Sequence, residues 1–172
     1  MGVLEQPPKP RRIVFLDIDG VLNNRQTKER YRREGGAEVI GLDPRNIAVF
    51  NQFLDTARVD AVITSTWRYN HTLEQLRAVL LSAGVNVRVI DQLPPYALAS
   101  RGLEIQAWLD GHPQPRIETF VIIDDSADMD HLLPRLARTD FQTGMREKHV
   151  PLALKILNQM LPVLPDALVI QP

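Results

Sequence analysis

Short apolar runs alternate with helix-like segments along most of the chain, and this alternation constrains the fold more than any other feature. Strand patterns occupy residues 13–18, 61–64, 85–90 and 119–123. Helical patterns occupy residues 42–57, 72–83, 100–110, 128–137 and 150–161, with an interruption expected near Pro134. Strands that alternate with helices favour parallel pairing with crossover connections. The sequence therefore predicts an α/β fold with a central, mainly parallel sheet.

Local signals mark the ends of two predicted helices. Asp43 and Pro44 stand where an N-cap residue and a first helical residue are expected. Thr72 and Gln75 have the spacing of a capping box, and Gly84 follows as a stop signal. Both helices should therefore begin close to these residues.

Composition places the chain among single-domain globular proteins. With 172 residues and 44% hydrophobic content, it is long enough for one sizeable core. A formal net charge of -1 names no partner, although it does not exclude a local basic patch. The absence of cysteine excludes disulfides and thiolate chemistry and suits a reducing compartment. Since no apolar segment reaches membrane-spanning length, we expect a soluble cytoplasmic protein with no membrane partner.

One predicted domain accounts for most of the chain. We expect a proline-rich leader over residues 1–12, a single domain over 13–161 and a short tail over 162–172. The tail is apolar and interrupted by prolines, so it can pack on the domain, add an edge strand or meet another subunit. Packing on the domain is the interpretation that we favour.

The first predicted strand stops at two aspartates. In the segment IVFLDIDGVLN, Asp17 and Asp19 fall at the carboxyl end of the strand, which is the edge where α/β sheets bind ligands. Two carboxylates this close stay ionised together when a cation or strong donors hold them, and Mg2+ takes oxygen ligands of this kind. The alternative is an acidic turn in which Gly20 supplies an unusual φ. From this segment alone, both interpretations stay open.

A second acidic pair follows the fourth predicted strand. In VIIDDSADMD, Asp124 and Asp125 come directly after an apolar run. Acids also favour the first turn of a following helix, so this pair has a structural interpretation too. Two acid pairs at strand ends of one parallel sheet would concentrate negative charge at one edge, which destabilises the fold unless a metal ion neutralises it. The second pair therefore strengthens the prediction of a Mg2+ site.

Two further segments offer groups that bind phosphate. VITSTWR ends the second strand with Thr64 and Ser65, whose hydroxyls can hydrogen-bond a phosphate oxygen, and with Arg68, which can bind an anion through two hydrogen bonds. The structural alternative is that Thr64 finishes the strand and Arg68 is solvated. Arg101 stands at the start of a predicted helix, where the helix dipole disfavours a cation. An anion bound at that helix start would remove the conflict.

These segments together resemble the four motifs of the haloacid dehalogenase (HAD) superfamily of phosphatases. DIDGVLN, TSTWR, Arg101 and VIIDD occur in the order of those motifs, over about residues 13–145. With TDFQTG downstream, the chain looks like the small HAD domain of predicted Swiss Army Knife RNA-repair proteins, and its DD pair is similar to that of polynucleotide 3'-phosphatases. The resemblance implies a three-layer, Rossmann-like HAD fold.

The resemblance also implies chemical roles for the acidic residues. Asp17 would be a nucleophile that forms an aspartyl-phosphate, and Asp19 would protonate the leaving group and then activate water. Mg2+ would bind Asp17, the backbone carbonyl of Asp19 and Asp125, with Asp124 as a further ligand or an orienting group. The implied enzyme is a phosphoric monoester hydrolase with Mg2+ as its cofactor.

Basic and hydroxyl residues receive roles in the same way. Thr64 would hold a phosphoryl oxygen, with Ser65 as the less favoured candidate. Arg101 would fill the position of the family's basic residue, and Arg68 would add a substrate contact. Phosphoryl transfer gains most from positioning and charge neutralisation, so a small set of residues suffices.

Space around the predicted site bears on the substrate. HAD families insert cap domains after the first motif or between the second and third, but here residues 69–100 are taken up by a helix and a strand of the sheet. Only a short polar flap over about 24–41 remains, so we expect a capless domain whose open site admits a bulky phosphoester. The flap has basic residues that can contact nucleic acid or form a solvated helical face. They are Arg25, Lys28, Arg30, Arg32 and Arg33.

Three functions remain open from the sequence. The first is a Mg2+-dependent phosphatase of nucleic-acid ends or nucleotides, and the second is a phosphatase of small metabolites or phosphoproteins. The third is a non-catalytic domain that binds nucleic acid or a partner. We favour the first, because Asp17 and Asp19 are both present and the family analogy points to nucleic acid.

Overall fold

The structure is a computed structural model that describes residues 9–34, 41–95 and 99–162. Its strands are β1 (Arg11–Leu16), β2 (Asp60–Ile63), β3 (Arg88–Gln92), β4 (Ile117–Asp124) and β5 (Leu136–Arg138). Its α-helices are α1 (Arg25–Arg33), α2 (Pro44–Ala57), α3 (Leu73–Ser82), α4 (Arg101–Gly111) and α5 (His149–Leu157). Two short 3-10 helices cover Thr66–Tyr69 and Asp130–Arg135. The predicted α/β fold class is therefore confirmed.

The strands of the described residues form one parallel sheet in the order β3-β2-β1-β4-β5. β1 lies at the centre, with Leu16 opposite both Ile63 of β2 and Ile123 of β4. Successive strands move outward in one direction from β1 to β3, and β4 and β5 continue on the other side of β1. The strand order thus reverses between β1 and β4, and ligands of open α/β sheets bind outside the carboxyl ends of strands at such a point.

Helices cover both faces of the sheet, as the unbroken apolar run of β1 requires. Val14 and Leu16 pack into a core with α2, α3 and α5, whereas Ile13 and Phe15 face α4 and the second 3-10 helix. The Phe15 ring makes an edge-to-face contact with Trp108 of α4, with ring centroids 5.5 Å apart. The result is the three-layer arrangement that the resemblance implied.

Predicted helix caps agree with the structure. The Asp43 side chain accepts a hydrogen bond from the N–H of Arg45, and Pro44 is the first residue of α2. Thr72 and Gln75 form both hydrogen bonds of a capping box at the start of α3. These local signals therefore fixed the entry points of both helices correctly.

Two strands differ from the sequence prediction. β3 begins at Arg88 and not at residue 85, because the N–H of Val85 donates to a carbonyl at the end of α3 (2.9 Å) and so belongs to the turn. The helix predicted over 128–137 is wrong, since this segment forms a 3-10 helix followed by β5. Pro134 lacks the N–H that an α-helix would need there. β5 has only three residues, which are too few to produce a period-2 signal.

The predicted flap begins with a helix. Asn24 caps α1 by accepting a hydrogen bond from the N–H of Thr27 (3.0 Å), and residues 35–40 lie outside the described part of the chain. Between β2 and α4, the residues that the structure describes form the first 3-10 helix, α3, β3 and short connections, and no cap domain is inserted among them.

The predicted leader and tail fall mostly outside the described residues. Arg11 and Arg12 belong to β1, so the first strand begins two residues earlier than its apolar run. The packing predicted for residues 162–172 lies outside the described residues except at Pro162. No helix in the described ranges combines the length and the apolar character needed to cross a membrane.

Candidate active site

Three predicted site residues meet at the carboxyl edge of the sheet. Asp17 directly follows β1, Thr64 directly follows β2, and Asp124 ends β4. The Asp17 N–H donates to the carbonyl of Ile123 (3.0 Å), and the Thr64 N–H donates to that of Leu16 (2.9 Å). Ladder bonds of the parallel sheet therefore bring the three residues side by side, although they are far apart in sequence.

The acidic residues Asp17, Asp124 and Asp125 form a cluster in which carboxylate oxygens of all three lie within 4.8 Å of one another. Asp17 and Asp124 are buried, and Asp125 is half-buried. An all-oxygen donor set of this kind fits Mg2+, which prefers carboxylates, carbonyls and water. The three side chains predicted as metal ligands are thus brought together by the fold.

Burial raises the pKa of each carboxyl in the cluster. It raises the pKa of Asp17 to about 6, against the opposing charge of Arg101. The pKa of Asp124 rises to about 7, first through burial and then through the negative charge of Asp17. Burial also raises the pKa of Asp125. A divalent cation would offset both the cost of burying these charges and the repulsion between Asp17 and Asp124.

The loop after β1 is shaped to receive Asp125. Gly20 has a φ of +73°, and a Cβ at this position would lie 2.5 Å from the Asp125 Oδ2 atom. Its N–H donates to the Asn23 side chain (3.0 Å), while the Thr139 hydroxyl donates to its carbonyl (2.7 Å). Glycine is therefore needed here both for the turn and for the carboxylate beside it. Asn23 and Thr139 were not predicted as site residues. Thr139 holds a backbone group, and Asn23 holds a backbone group and the Asp19 carboxylate.

Asp19 is not one of the three clustered carboxylates and makes contacts of its own. The Asn23 amide donates to its Oδ1 atom (2.8 Å), and the Lys28 ammonium of α1 lies 2.9 Å from its Oδ2 atom. The two aspartates of the first motif therefore have separate surroundings, one among carboxylates and one against a cation. The contact between Lys28 and Asp19 was not predicted from the sequence.

Arg101 reaches the acidic cluster from the start of α4. Its Nη1 atom lies 3.4 Å from Asp124 and 4.0 Å from Asp17, while its Nε atom lies 3.3 Å from Glu104. Gly102 lets the helix start approach the chain closely, because a Cβ there would lie 2.2 Å from the carbonyl oxygen of Met129. The position predicted for a basic group is thus occupied by a guanidinium that faces two carboxylates.

Thr64 carries a buried hydroxyl without a protein partner. Its Oγ1 atom is inaccessible to solvent and makes no hydrogen bond in the described part of the chain. Ser65 differs, because its hydroxyl accepts from the Trp67 N–H (3.4 Å) and also hydrogen-bonds Asp17, which lowers the pKa of Asp17 against the larger effect of burial. Buried hydroxyls in folded proteins nearly always have a partner, so the Thr64 hydroxyl is an exception within the described residues.

Arg68 does not have the substrate-binding position predicted for it. Its Nη2 atom lies 2.9 Å from both carboxylate oxygens of Glu104 and also bonds the Tyr69 hydroxyl. Nη1 donates to the carbonyls of Thr64 and Ser65, and Nε donates to a further backbone carbonyl (2.9 Å). All five N–H groups of a guanidinium are used by these contacts, and the side chain is fully buried. Arg68 therefore supports the loop after β2 and has no donor left for a substrate.

Comparison with known families agrees with this geometry. The family model described as the HAD domain in Swiss Army Knife RNA repair proteins matches residues 13–150. That range contains all four sequence motifs and every site residue described above. No curated protein matches the chain. The chain therefore belongs to the family of HAD domains found in Swiss Army Knife RNA repair proteins.

Proposed function

We propose that the domain is a Mg2+-dependent phosphomonoesterase that works through an aspartyl-phosphate and acts on nucleic-acid ends. The observation that carries this proposal is the cluster of Asp17, Asp124 and Asp125 at the carboxyl edge of the sheet, with Arg101 against two of its members. Such a site combines a nucleophile, a cation-binding oxygen set and a fixed positive charge, which are the requirements of phosphoryl transfer.

Asp17 is the proposed nucleophile. One of its carboxylate oxygens attacks phosphorus, and the bond from phosphorus to the ester oxygen breaks with its electron pair on the leaving oxygen. Position supports this role, because Asp17 is the only cluster member that directly follows the central strand β1. The Arg101 guanidinium, 4.0 Å away, favours the ionised form that attack requires.

Asp19 is the proposed acid and base. It gives a proton to the leaving oxygen and then takes one from the water that attacks the aspartyl-phosphate, which releases inorganic phosphate. Its separation from the acidic cluster supports this role, since a group that shuttles protons must not be occupied by the metal. The Asn23 amide holds one of its oxygens at 2.8 Å and so limits its orientation.

Phosphoryl oxygens would be held by the Thr64 hydroxyl and the Arg101 guanidinium. Asp17, Asp125 and the Asp19 carbonyl would hold Mg2+, with Asp124 as a further ligand or an orienting group. When bound, Mg2+ supplies positive charge that neutralises the phosphoryl oxygens. The Arg101 guanidinium would neutralise a further part of the negative charge of the phosphoryl group.

The substrate class rests on the family and on the open site. The matching family is named for RNA repair proteins, and no cap domain stands over the site among the described residues. A phosphate at the end of a nucleic-acid strand can therefore approach without a lid that must open. A substrate panel separates this class from small phosphorylated metabolites and phosphopeptides.

Phosphate release is the test of the proposed function. Substrates are an aryl phosphate, 3'- and 5'-phosphorylated oligonucleotides, sugar phosphates and phosphopeptides, each with Mg2+ and with a chelator. We expect Mg2+-dependent release that Asp17→Asn abolishes and that Asp55→Asn, the same change at an exposed position of α2, leaves intact. Equal release by Asp17→Asn, or release unaffected by the chelator, would contradict the proposed mechanism. Faster turnover of metabolites or peptides than of oligonucleotides would contradict the proposed substrate class.

A further inference from the structure

Helix α1 concentrates positive charge beside the candidate active site. Its nine residues, RQTKERYRR, include five bases and one acid, which gives the helix a net charge of +4. The whole chain has a net charge of -1, so the remainder of the molecule is acidic on balance. A helix with so uneven a charge is an electrostatic footprint for a polyanion.

The position of α1 against the body of the domain is fixed by buried polar contacts. The Asn24 amide donates to Asp43 and to Asn46, both at 2.9 Å, and the Thr27 hydroxyl donates to Asp43 at 2.8 Å. All four side chains are buried. At the next residue, the Lys28 ammonium lies 2.9 Å from the Asp19 carboxylate. The basic helix is therefore held at the mouth of the site.

Only part of the charge on α1 is neutralised within the described residues. Glu29 pairs with Arg25 at 2.7 Å and with Arg33 at 3.9 Å, and Lys28 pairs with Asp19. Arg30 and Arg32 are exposed and form no ion pair within the described residues. Arg32 lies on the same side of α1 as Lys28, whereas Arg30 lies on the opposite side, so Arg32 is the guanidinium that remains available to a ligand on the side of the site.

The distance between Lys28 and Arg32 along the helix is larger than a single phosphate group. Lys28 and Arg32 are one helical turn apart, which places them on the same side of α1 with an axial separation of about 6 Å. Lys28 is next to Asp19, so Arg32 lies one turn farther from the reacting phosphate. A substrate with phosphates beyond the reactive one can use this second position, whereas a small phosphomonoester cannot.

We propose that α1 binds the phosphodiester backbone of a nucleic-acid strand whose terminal phosphate enters the Asp17 site. This inference rests on the proposed function for the identity of the reactive end. Arg32 contacts a backbone phosphate, and Lys28 marks the point where the strand enters the site.

The test compares Arg32→Gln with Lys155→Gln, which removes one exposed positive charge from α5. The measured quantity is kcat/KM for a phosphorylated single-stranded decanucleotide divided by kcat/KM for an aryl phosphate. We expect this ratio to fall about threefold in Arg32→Gln through KM, and to stay unchanged in Lys155→Gln. The salt dependence of oligonucleotide turnover should weaken as well, with its logarithmic slope reduced by about 0.7 for one lost contact.

Other outcomes would separate this inference from the proposed function. An unchanged ratio and salt slope, with turnover intact, would overturn the strand-binding role of α1 alone. An equal loss with an acidic phosphopeptide would also overturn it, because the attraction would then not be specific for nucleic acid. If the wild type hydrolyses no substrate, fluorescence anisotropy with the labelled oligonucleotide decides the matter. Weaker binding by Arg32→Gln would support the surface, and equal binding would overturn it.

Discussion

Two arginines contact the same carboxylate but serve the candidate site in different ways. Arg68, in the first 3-10 helix, lies 2.9 Å from Glu104, and Arg101, at the start of α4, lies 3.3 Å from it. Arg68 is fully buried and gives every donor to backbone carbonyls, a hydroxyl and Glu104. Arg101 uses part of its guanidinium on Glu104 and turns Nη1 toward Asp17 and Asp124. The donors that remain after the internal contacts decide whether a cation supports the fold or faces the ligand.

Replacing the buried Arg68 should change the stability of the protein most. Arg68→Met should lower the free energy of unfolding by about 3 to 5 kcal/mol. It removes a partner from the buried Glu104 carboxylate and leaves several backbone carbonyls without their hydrogen-bond donor. Urea unfolding monitored by circular dichroism measures the change. Arg77→Met is the matched control, since Arg77 also donates to two backbone carbonyls but is exposed, and about 1 kcal/mol or less is expected. A loss of unfolding free energy in Arg68→Met no larger than in Arg77→Met would contradict the structural role of Arg68.

Arg101 should show the opposite balance between stability and activity. Arg101→Gln is expected to reduce kcat/KM about 100- to 1000-fold, as the loss of a fixed charge on the transition state does, with a smaller loss of stability than Arg68→Met. Arg101→Lys keeps the charge and should recover part of the activity. Steady-state kinetics and urea unfolding on the same samples check both statements. A variant that unfolds as readily as Arg68→Met would show that both arginines are structural.

The metal-free protein should become less stable as pH rises between about 4 and 7. The folded-state pKa values of Asp17 and Asp124, about 6 and about 7, lie above the ordinary value of 3.8. Their contribution to stability is therefore fully present below pH 3.8 and is lost as pH rises through the folded values. Mg2+ at about 100 times its Kd should add about 2.7 kcal/mol at pH 7.5 and less at pH 5, where the carboxyls are protonated.

Thermal unfolding with and without Mg2+ at several pH values measures how stability depends on these carboxyl groups. The variant Arg101→Gln tests the same dependence. Arg101 lowers the pKa of both Asp17 and Asp124, so Arg101→Gln should move the loss of stability to higher pH. The variant Asp124→Asn should flatten the profile. Equal stabilisation by Mg2+ at pH 5 and pH 7.5 would contradict the assignment of these carboxylates as its ligands.

The smallest change is expected at Thr64, whose backbone carbonyl and side-chain hydroxyl have different surroundings. The carbonyl of Thr64 accepts from Arg68, whereas its buried hydroxyl has no partner in the described structure. Thr64→Val keeps the shape and removes only the hydroxyl, so stability should stay within about 1 kcal/mol while kcat/KM falls about tenfold. Ser65→Ala is the companion variant, since that hydroxyl already bonds Asp17. Unchanged turnover in Thr64→Val would exclude its hydroxyl from phosphate binding.

The sequence predicted those parts of the site that follow from strand ends. Asp17, Thr64 and Asp124 each come directly after or at the end of an apolar run, and parallel pairing brings such positions to one edge. Arg101 was predicted because a cation at a helix start needs a nearby anion. In these cases the local pattern and the topology agree.

The remaining features depend on contacts between residues distant in sequence. The direction of Arg68 is set by Glu104, and the contact between Lys28 and Asp19 depends on how α1 packs. β5 was missed because three residues carry no period. Residue types and strand ends can be predicted from a sequence. Which hydrogen-bond donors already have partners within the fold cannot be predicted in this way.

The role of Asp17 is tested most directly by locating the phosphorylated residue after acid quench of the enzyme with a labelled aryl phosphate and Mg2+. We expect a phosphoryl group on the peptide that contains Asp17, none in Asp17→Asn, and more in Asp19→Asn. The increase is expected because an aryl leaving group needs no acid, whereas hydrolysis of the aspartyl-phosphate still needs the base. Phosphate release without any label on Asp17, or a label on another residue, would contradict the assignment of Asp17 as nucleophile.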